Sequence, residues 1–554
     1  MVWAAALGPG VAAAQNFLPP VAHPNIPPLE TLEVEDLGDV TITLPGGTRP
    51  PTGAGGVSFQ LNGLDIRGAT AFTGEDLAPI FADRLGSDVT LNDLFGFVAE
   101  IERTYRDAGF ILSYAFLPPQ ESEDGVFAIE VVEGFVNSVT FEDVDDPELL
   151  AQLQPRFDAL IAERPVTAES LEAALMSANS GLGGFSVSGV LQPAEEGRGG
   201  SDLIVMAEQA TLDAVVGVNN RGTDYAGPNR LQGDVRLYNL GVLGDRFSAA
   251  LDLTQPGGEQ TSLAFSYARP VDWIVPLIVN ASVAGAWANP GADLEPFDVS
   301  SRTLSFDLSA RADVHRSLDD RATVTGGVDW RKVNTKTALT QIARDRIGSI
   351  YVEAGYTYAG LFGGGSAVTL RVERGLPFLN TADAGDPRSR IDAEHDYTVV
   401  KLRAAHRQPI WGNFSALLGL TAQYSFDPLF ASKEFALGGS GFGRGYDVGE
   451  AIGDHGAAGT LELRYDLIQP VEWLPRVQPY VFVDGGATFN IGDSDGQALA
   501  STGGGLRFTL PYDIELDVEM TYAFGPEPDL DYDLFGRDLG RSRVFFALRK
   551  GFSL

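Results

Sequence analysis

The chain has 554 residues, 44% hydrophobic and 21% charged, a balance that excludes wholesale disorder. Seventy-five acidic residues against 39 basic ones give a formal charge of -36, which repels phosphate backbones and sets nucleic acid aside as a partner. With no cysteine there is no disulfide framework, thiol nucleophile or Cys-ligated zinc, and no apolar run of about twenty residues offers a membrane-spanning helix, which leaves strands as the way across a bilayer.

Residues 1–15 (MVWAAALGPGVAAAQ) are apolar and end in small residues, as the end of a secretory signal does, with cleavage expected after Ala12-Ala13-Ala14. No Lys or Arg stands near Met1 and Pro9 interrupts the run, so this signal-peptide remnant is expected to have its true start upstream. Residues 16–56 are rich in Pro and Gly and read as a tether, in which only 29–38 (LETLEVEDLG) offers a short helix. From Val57 the pattern sharpens. VSFQLNGLDIRGAT is a strand and its end, and Thr73-Gly74-Glu75-Asp76 opens a helix carrying Leu77, Ile80, Phe81 and Leu85. Thr90-Leu91-Asn92-Asp93 starts a second helix with Leu94, Val98, Ile101 and Tyr105 at helical spacing, stopped by Gly109. Strands at 111–117 and 125–132 complete a β-α-α-β-β unit over residues 57–135. The order recurs over 136–209, with a strand at 136–143, helices at 147–163 and 167–179, and strands at 185–192 and 202–208. A repeat of this period marks two copies of one small module.

From Thr211 to Leu554 helical periodicity is nearly absent. Strand patterns begin near residues 211, 230, 246, 260, 276, 301, 321, 347, 366, 396, 413, 457, 477, 500, 513 and 541. That gives about sixteen segments of roughly ten residues, an even number and a length suited to tilted strands crossing a membrane. In the segment near 513, Ile514, Leu516, Val518, Met520, Tyr522 and Phe524 share one face, and Glu515, Asp517, Glu519 and Thr521 the other. The segment near 301 sets Leu304, Phe306, Leu308 and Ala310 against Ser305, Asp307, Ser309 and Arg311; near 457, Leu461, Leu463 and Tyr465 oppose Thr460, Glu462 and Arg464. Charged residues on the face away from lipid imply a wet interior. A soluble sandwich also alternates, but its strands are shorter and its inner face packs on a second sheet. Strand length, with Trp273, Trp287, Trp330, Trp473, Tyr522 and Phe524 at strand ends, favours a membrane barrel with aromatic girdles. The barrel must close, because lipid offers no partner to an open sheet edge. The expected fold is a transmembrane β-barrel of about sixteen antiparallel strands (211–554) preceded by two α+β modules.

Four stretches carry a family resemblance. Residues 102–110 (ERTYRDAGF), with Tyr105 and Gly109, and Val131-Val132-Glu133-Gly134 look like the POTRA domains of outer-membrane transporters, periplasmic modules of this β-α-α-β-β order. Residues 435–454 (FALGGSGFGRGYDVGEAIGD), between the eleventh and twelfth expected strands, contain Gly443-Arg444-Gly445-Tyr446 and Gly453-Asp454. Phe482-Val483-Asp484-Gly485-Gly486 lies in the thirteenth. These two resemble the RGY motif of the sixth extracellular loop and the F-x-D-x-G motif of the two-partner secretion transporters (TpsB class, the haemolysin/haemagglutinin secretion-activation family of the POTRA-barrel superfamily). Asn220-Arg221-Gly222, after the first strand, resembles a family turn. The resemblance covers residues 57–554 and makes 57–135 POTRA domain 1 and 136–209 POTRA domain 2. It departs at the N-terminus, where family members often carry a barrel-plugging helix and this chain offers only 29–38.

What the resemblance implies is a translocator of the bacterial outer membrane with its POTRA domains in the periplasm. It would capture a large unfolded exoprotein, of adhesin or haemolysin type with an N-terminal secretion domain, and export it through the barrel without ATP. Outer-membrane lipid and, during biogenesis, the barrel-assembly machinery are further expected partners. That machinery typically reads a terminal aromatic residue, whereas here Phe552 stands two places before Leu554. A barrel-assembly factor, or a passive porin or surface adhesin, are the rival readings.

The residues bear a physical reading of their own. On strand thirteen Gln478, Tyr480, Phe482, Asp484 and Gly486 face the lumen, with Gly486 leaving room beside Asp484, while Val477, Val481, Val483 and Ala487 face lipid. A glycine-rich loop can enter the lumen and present Arg444, whose guanidinium is expected to meet Asp484 bidentately. An arginine in such a loop is by itself most often solvated; its position relative to Asp484 favours the lumen anchor. Enzyme motifs fail. Gly441-Phe442-Gly443-Arg444-Gly445 opens no helix, Gly438-Gly439-Ser440-Gly441-Phe442 misses the last glycine of a nucleophile elbow, and the five histidines are scattered without an H-E-x-x-H pair. No catalytic residue, cofactor or metal ligand is expected.

Overall fold

The computed structural model describes residues 56 and 58–554, apart from 122–123, 143, 145, 180–182, 195–197, 224, 256–258, 273–274, 318, 362, 380–384, 472, 493–495 and 526–540. The expected signal remnant (1–15), nearly all of the tether (16–56) with its helix at 29–38, and Trp273 lie outside the described residues. The described chain forms two compact units, one ending at Gln209 and one beginning at Ala210.

In the first unit, Gly63–Arg67 runs parallel to Val126–Val132, which pairs antiparallel with Tyr114–Phe116. A small extra ladder joins Ser58–Gln60 to Asp88–Thr90, a strand the sequence pattern conceals because Thr90 already caps the next helix. The helix expected from Thr73 lasts one turn, α1 (Gly74–Leu77), although Thr73 and Asp76 cap it reciprocally. Pro79 follows, without the N–H that an α-helix needs there, and the chain continues as 3-10 turns at Ala78–Ile80 and Ala82–Arg84. Helix α2 (Leu91–Asp107) forms as expected. The Thr90 side chain and the Asp93 carboxylate satisfy each other's backbone N–H groups at its start, and Leu94, Phe97, Val98, Ile101 and Tyr105 bury one face. Each such side chain contributes about 1.5–3 kcal/mol when fully buried. The same plan recurs downstream, where Phe135–Glu142 runs parallel to Gly200–Gln209, which pairs antiparallel with Phe185–Pro193. Helices α3 (Pro147–Ala162) and α4 (Ala168–Asn179) press Leu153, Phe157, Leu160, Leu171 and Leu175 into that core.

In the second unit sixteen antiparallel strands, among the described residues, close into a barrel. They are β1 (Leu212–Asn219), β2 (Asn229–Tyr238), β3 (Arg246–Gln255), β4 (Gln260–Asp272), β5 (Pro276–Ala288), β6 (Ser300–Arg316), β7 (Asp320–Lys336) and β8 (Gln341–Leu361). Then follow β9 (Gly364–Gly375), β10 (Thr398–Trp411), β11 (Phe414–Ser425), β12 (His455–Tyr465, continued by Leu467–Val471), β13 (Leu474–Phe489), β14 (Gln497–Leu510), β15 (Ile514–Ala523) and β16 (Ser542–Ser553). Neighbours in sequence are neighbours in the sheet, and β16 pairs with β1 to close it. Connections of two to seven residues at one rim alternate with connections of four to 29 residues at the other, the longest running from 426 to 454.

The alternation read from the sequence is the alternation observed. Leu304, Phe306 and Leu308 on β6, and Val518, Met520, Tyr522 and Phe524 on or just beyond β15, are exposed on the outer face, a belt suited to lipid. Trp287 and Trp473 are exposed at strand ends. Strand length differs from expectation, since β6 and β7 have 17 residues and β8 has 21. About ten residues suffice to cross the hydrocarbon, and the surplus carries charges such as Lys332, Lys336, Arg344 and Arg346 beyond it.

Candidate functional site

Register builds the wall of the site. Thr460 on β12 stands opposite Asp484 on β13, Asp484 opposite Ser501 on β14, and Ser501 opposite Ala523 on β15. Two positions along, Glu462, Phe482, Gly503 and Thr521 form a parallel row. The inward glycines of β14 make room for rings. A Cβ at Gly503 would lie 2.8 Å from the Phe482 ring, and one at Gly505 2.6 Å from the Tyr480 hydroxyl. The rings can therefore lie across β14 and offer their faces to the lumen.

Onto this wall folds the 426–454 loop. A short ladder between Phe435–Leu437 and Ala451–Gly453 forms its stem. Phe435, Leu437, Phe442, Tyr446 and Ala451 pack against the inward Ala405, Ala458, Leu499 and Ala523 of the barrel. Gly443 has a left-handed backbone (φ 75°), which lets the tip turn back on Gly438. Gly445 sits against Ser501 and Ala523, with its N–H donating to Ser501 Oγ at 3.2 Å. Tyr446 is buried and its hydroxyl accepts from the Gly525 N–H at 2.6 Å.

Arg444 is at the centre. Its Nη1 donates to Glu462 Oε2 (2.8 Å) and Glu519 Oε2 (3.2 Å), and its Nη2 to Thr460 Oγ1 (3.2 Å). Nε lies 3.2 Å from Asp484 Oδ2, and the Arg444 backbone N–H reaches the same oxygen at 3.4 Å. The guanidinium stacks 3.8 Å above the Phe482 ring. Three expectations are thus corrected. Arg444 does meet Asp484, but as one corner of a three-carboxylate cluster instead of a bidentate pair, because the Nη edge is taken by β12 and β15. Nor is this sector of the lumen wet: Arg444 is 7% exposed, Asp484 3% and Glu462 1%, since the loop itself fills the space. Gly486 does not leave room in the lumen either; a Cβ there would meet the Ala457 carbonyl of β12 at 2.5 Å, so it serves close strand approach.

Asp454 lies elsewhere. It is fully buried at the loop's stem, where it accepts from Arg390 Nη1 (2.6 Å), the Leu429 N–H (2.8 Å) and the Ile491 N–H (2.9 Å). Arg390, from the 376–397 connection, also reaches Glu434 at 3.0 Å. Beside it, Lys433 donates to Asp329 on β7 (2.6 Å) and to Glu373 on β9, which also accepts from the Tyr397 hydroxyl (2.7 Å). Glu462, Glu519, Lys433 and Arg390 were not singled out from the sequence. The available signal was a carboxylate at an inward position of a membrane strand, which has to find a cation.

The POTRA-like residues form a separate brace in the first unit. Glu133 accepts from the Tyr105 hydroxyl (2.8 Å), the Thr70 and Ala71 N–H groups (2.6 and 2.8 Å) and the Thr70 hydroxyl. Burial alone would raise its carboxyl, but these donors outweigh it and hold Glu133 below the ordinary range. Burial, with the Glu133 charge beside it, pushes the Tyr105 hydroxyl up. Gly109 takes the left-handed turn that ends α2 (φ 87°), and Gly134 passes so close to Leu112 that a Cβ would lie 2.5 Å from its backbone. The carbonyls of Gly109 and Gly134 accept from the Ala168 and Val166 N–H groups (2.8 and 3.0 Å), joining the first module to the second.

The family model described as haemolysin secretion/activation protein ShlB/FhaC/HecB matches residues 199–508, and the POTRA domain, ShlB-type, matches 59–134. The heme/hemopexin transporter protein HuxB of Haemophilus influenzae is 24% identical over 437 residues, 74% of this chain and 73% of its own. The outer membrane transporter CdiB of Dickeya dadantii is 23% identical over 479 residues, 82% of this chain and 81% of its own. The solved structure of CdiB from Escherichia coli shares the fold with a TM-score of 0.64 at 20% identity, over 91% of this chain and 93% of that one.

Proposed function

We propose a division of labour that proceeds from one premise: the chain belongs to the haemolysin secretion/activation family, and is a two-partner secretion transporter of the outer membrane with its POTRA unit in the periplasm. It works with a secreted exoprotein partner. In our reading the POTRA modules capture that partner unfolded, an exoprotein of adhesin or haemolysin type with an N-terminal secretion domain. An extended segment would add to a sheet edge, where backbone hydrogen bonds supply affinity. Export then runs through the barrel, driven by folding outside and without nucleotide, cofactor or catalytic chemistry. Lipid and the barrel-assembly machinery complete the partners.

The observation that carries this reading is the folded 426–454 loop, buried against the inner wall and held there by Arg444. A polypeptide can pass only if that loop gives way, so the charge cluster acts as a lock that export must open. The chain has no cysteine, which makes a tether clean. A Cβ at Gly445 would lie 3.3 Å from the Ala523 Cβ, close to the spacing of a disulfide. Gly445→Cys with Ala523→Cys should block secretion of the partner when oxidised and restore it on reduction. Undiminished secretion by the oxidised protein would show that the loop need not move.

A further inference from the structure

The ladder that closes the barrel is short. It pairs Asp213–Asn219 of β1 with Ala547–Ser553 of β16, whereas β13 pairs with β14 over Arg476–Thr488. Past its last rung Asn220 adds its side chain to one more backbone bond: its N–H donates to the Phe546 carbonyl (3.3 Å), and its side chain accepts from the Phe546 N–H (2.7 Å) and donates to the Val544 carbonyl (2.9 Å). Arg221 follows. Its guanidinium lies 4.6 Å from the Phe545 ring of β16, and its Nη2 donates to Glu519 Oε1 at 2.9 Å. The other oxygen of that carboxylate, Oε2, accepts from Arg444 Nη1 (3.2 Å) and the Tyr480 hydroxyl (2.9 Å). One carboxylate, 2% exposed, therefore holds the tip of the lumen loop with one oxygen and the barrel seam with the other.

We propose that Glu519 couples docking of the 426–454 loop to closure of the β1–β16 seam, with Arg221 and Glu519 as positioning residues in the transport cycle. While the loop is docked it excludes water from Glu519, and the Arg221–Glu519 pair is a charge-assisted contact buried at its carboxylate end and partly exposed at Arg221. When Arg444 withdraws, water enters, and the same pair becomes a hydrated salt bridge of little worth. The seam then loses its lumenal brace at the end of its shortest ladder. Linkage makes the effect reciprocal, so a seam held shut favours the docked loop.

This rests on the loop reading above, but its test needs no export substrate, so the two can fail separately. Val218 and Leu548 stand opposite each other across the seam, both exposed on the outer face. In the full chain reconstituted into lipid vesicles, Val218→Cys with Leu548→Cys reports seam pairing by the rate of disulfide formation in a brief oxidation. Val483→Cys with Thr502→Cys, opposite each other across β13 and β14, reports the rest of the barrel. Arg444→Ala should slow seam cross-linking about fivefold and leave the second pair unchanged. In an Arg221→Ala background the seam should start slow, and Arg444→Ala should slow it no further. Where Arg221→Ala does not fold, Arg221→Lys and Glu519→Gln replace it, with Lys expected to retain part of the response and Gln none. An undiminished rate in Arg444→Ala, or an equal further drop when Arg221 is already replaced, overturns the coupling.

Discussion

Replacing Arg444 by alanine leaves three buried carboxylates, but they do not suffer equally. Glu462 keeps Arg464 and Arg507, each at 2.7 Å, and Glu519 keeps Arg221 at 2.9 Å. Asp484 keeps the Ser501 hydroxyl and, among the described residues, pairs with no second cation. At 3.2 Å and an effective dielectric of about 20, one ion pair is worth about 5 kcal/mol of Coulomb energy, and removing one partner of such a buried pair costs about 3–5 kcal/mol. We therefore expect Arg444→Ala to shift the loop from docked toward undocked by roughly 10²–10⁴-fold, with the penalty concentrated on Asp484. The prediction has a sign that simple loss of contacts lacks. Asp484→Asn added to Arg444→Ala should recover most of the docking, because it removes the uncompensated charge. Glu462→Gln added instead should recover little. Asp484→Asn alone should be mild, since Arg444 retains Glu462 and Glu519. Single-channel conductance in planar bilayers reads the docked population, as the docked loop occupies part of the lumen. If both neutralisations rescue equally, or neither does, the assignment of the penalty to Asp484 is refuted.

Two further outcomes follow from the same structure. Because its donors hold Glu133 below the ordinary carboxyl range, its contribution to the first unit is complete above the unfolded value of about 4.3 and is lost as pH falls through the lower folded value. Urea unfolding of a 57–209 fragment should thus show Glu133→Gln costing about 1–3 kcal/mol at neutral pH and progressively less below pH ~4.3; a pH-independent loss would refute the charged brace. Lys433→Ala should also undock the loop's stem, but by less than Arg444→Ala, since Glu373 keeps Arg371 and Lys401 at 3.5 Å each and the uncompensated charge falls on the partly exposed Asp329. The Lys433 and Arg444 clusters share no partner, so in the conductance assay their effects should add within about 0.5 kcal/mol; strong non-additivity would refute their independence.

The features legible along the chain were those whose causes are local. Capping residues and 3.6-residue spacing placed α2 from Thr90 to Gly109, and period-two alternation placed the strands, with most starts within three residues of those observed. Where a local cause was overlooked, as with Pro79 ending α1, the sequence still contained it. The RGY-bearing loop and the inward Asp484 were legible for the same reason, one from its glycines and the other from strand parity. Which charges meet depends on the folded barrel. Glu462, Asp484 and Glu519 lie 18, 40 and 75 residues from Arg444, and Asn220 lies 326 residues from the Phe546 it caps. Parity says that such side chains face inward, but it carries no information on register, and a two-residue slip preserves every inward face while changing every opposite neighbour. Register is set by the whole closed sheet, and so are the identity of Arg444's partners and the single carboxylate that the loop and the seam share.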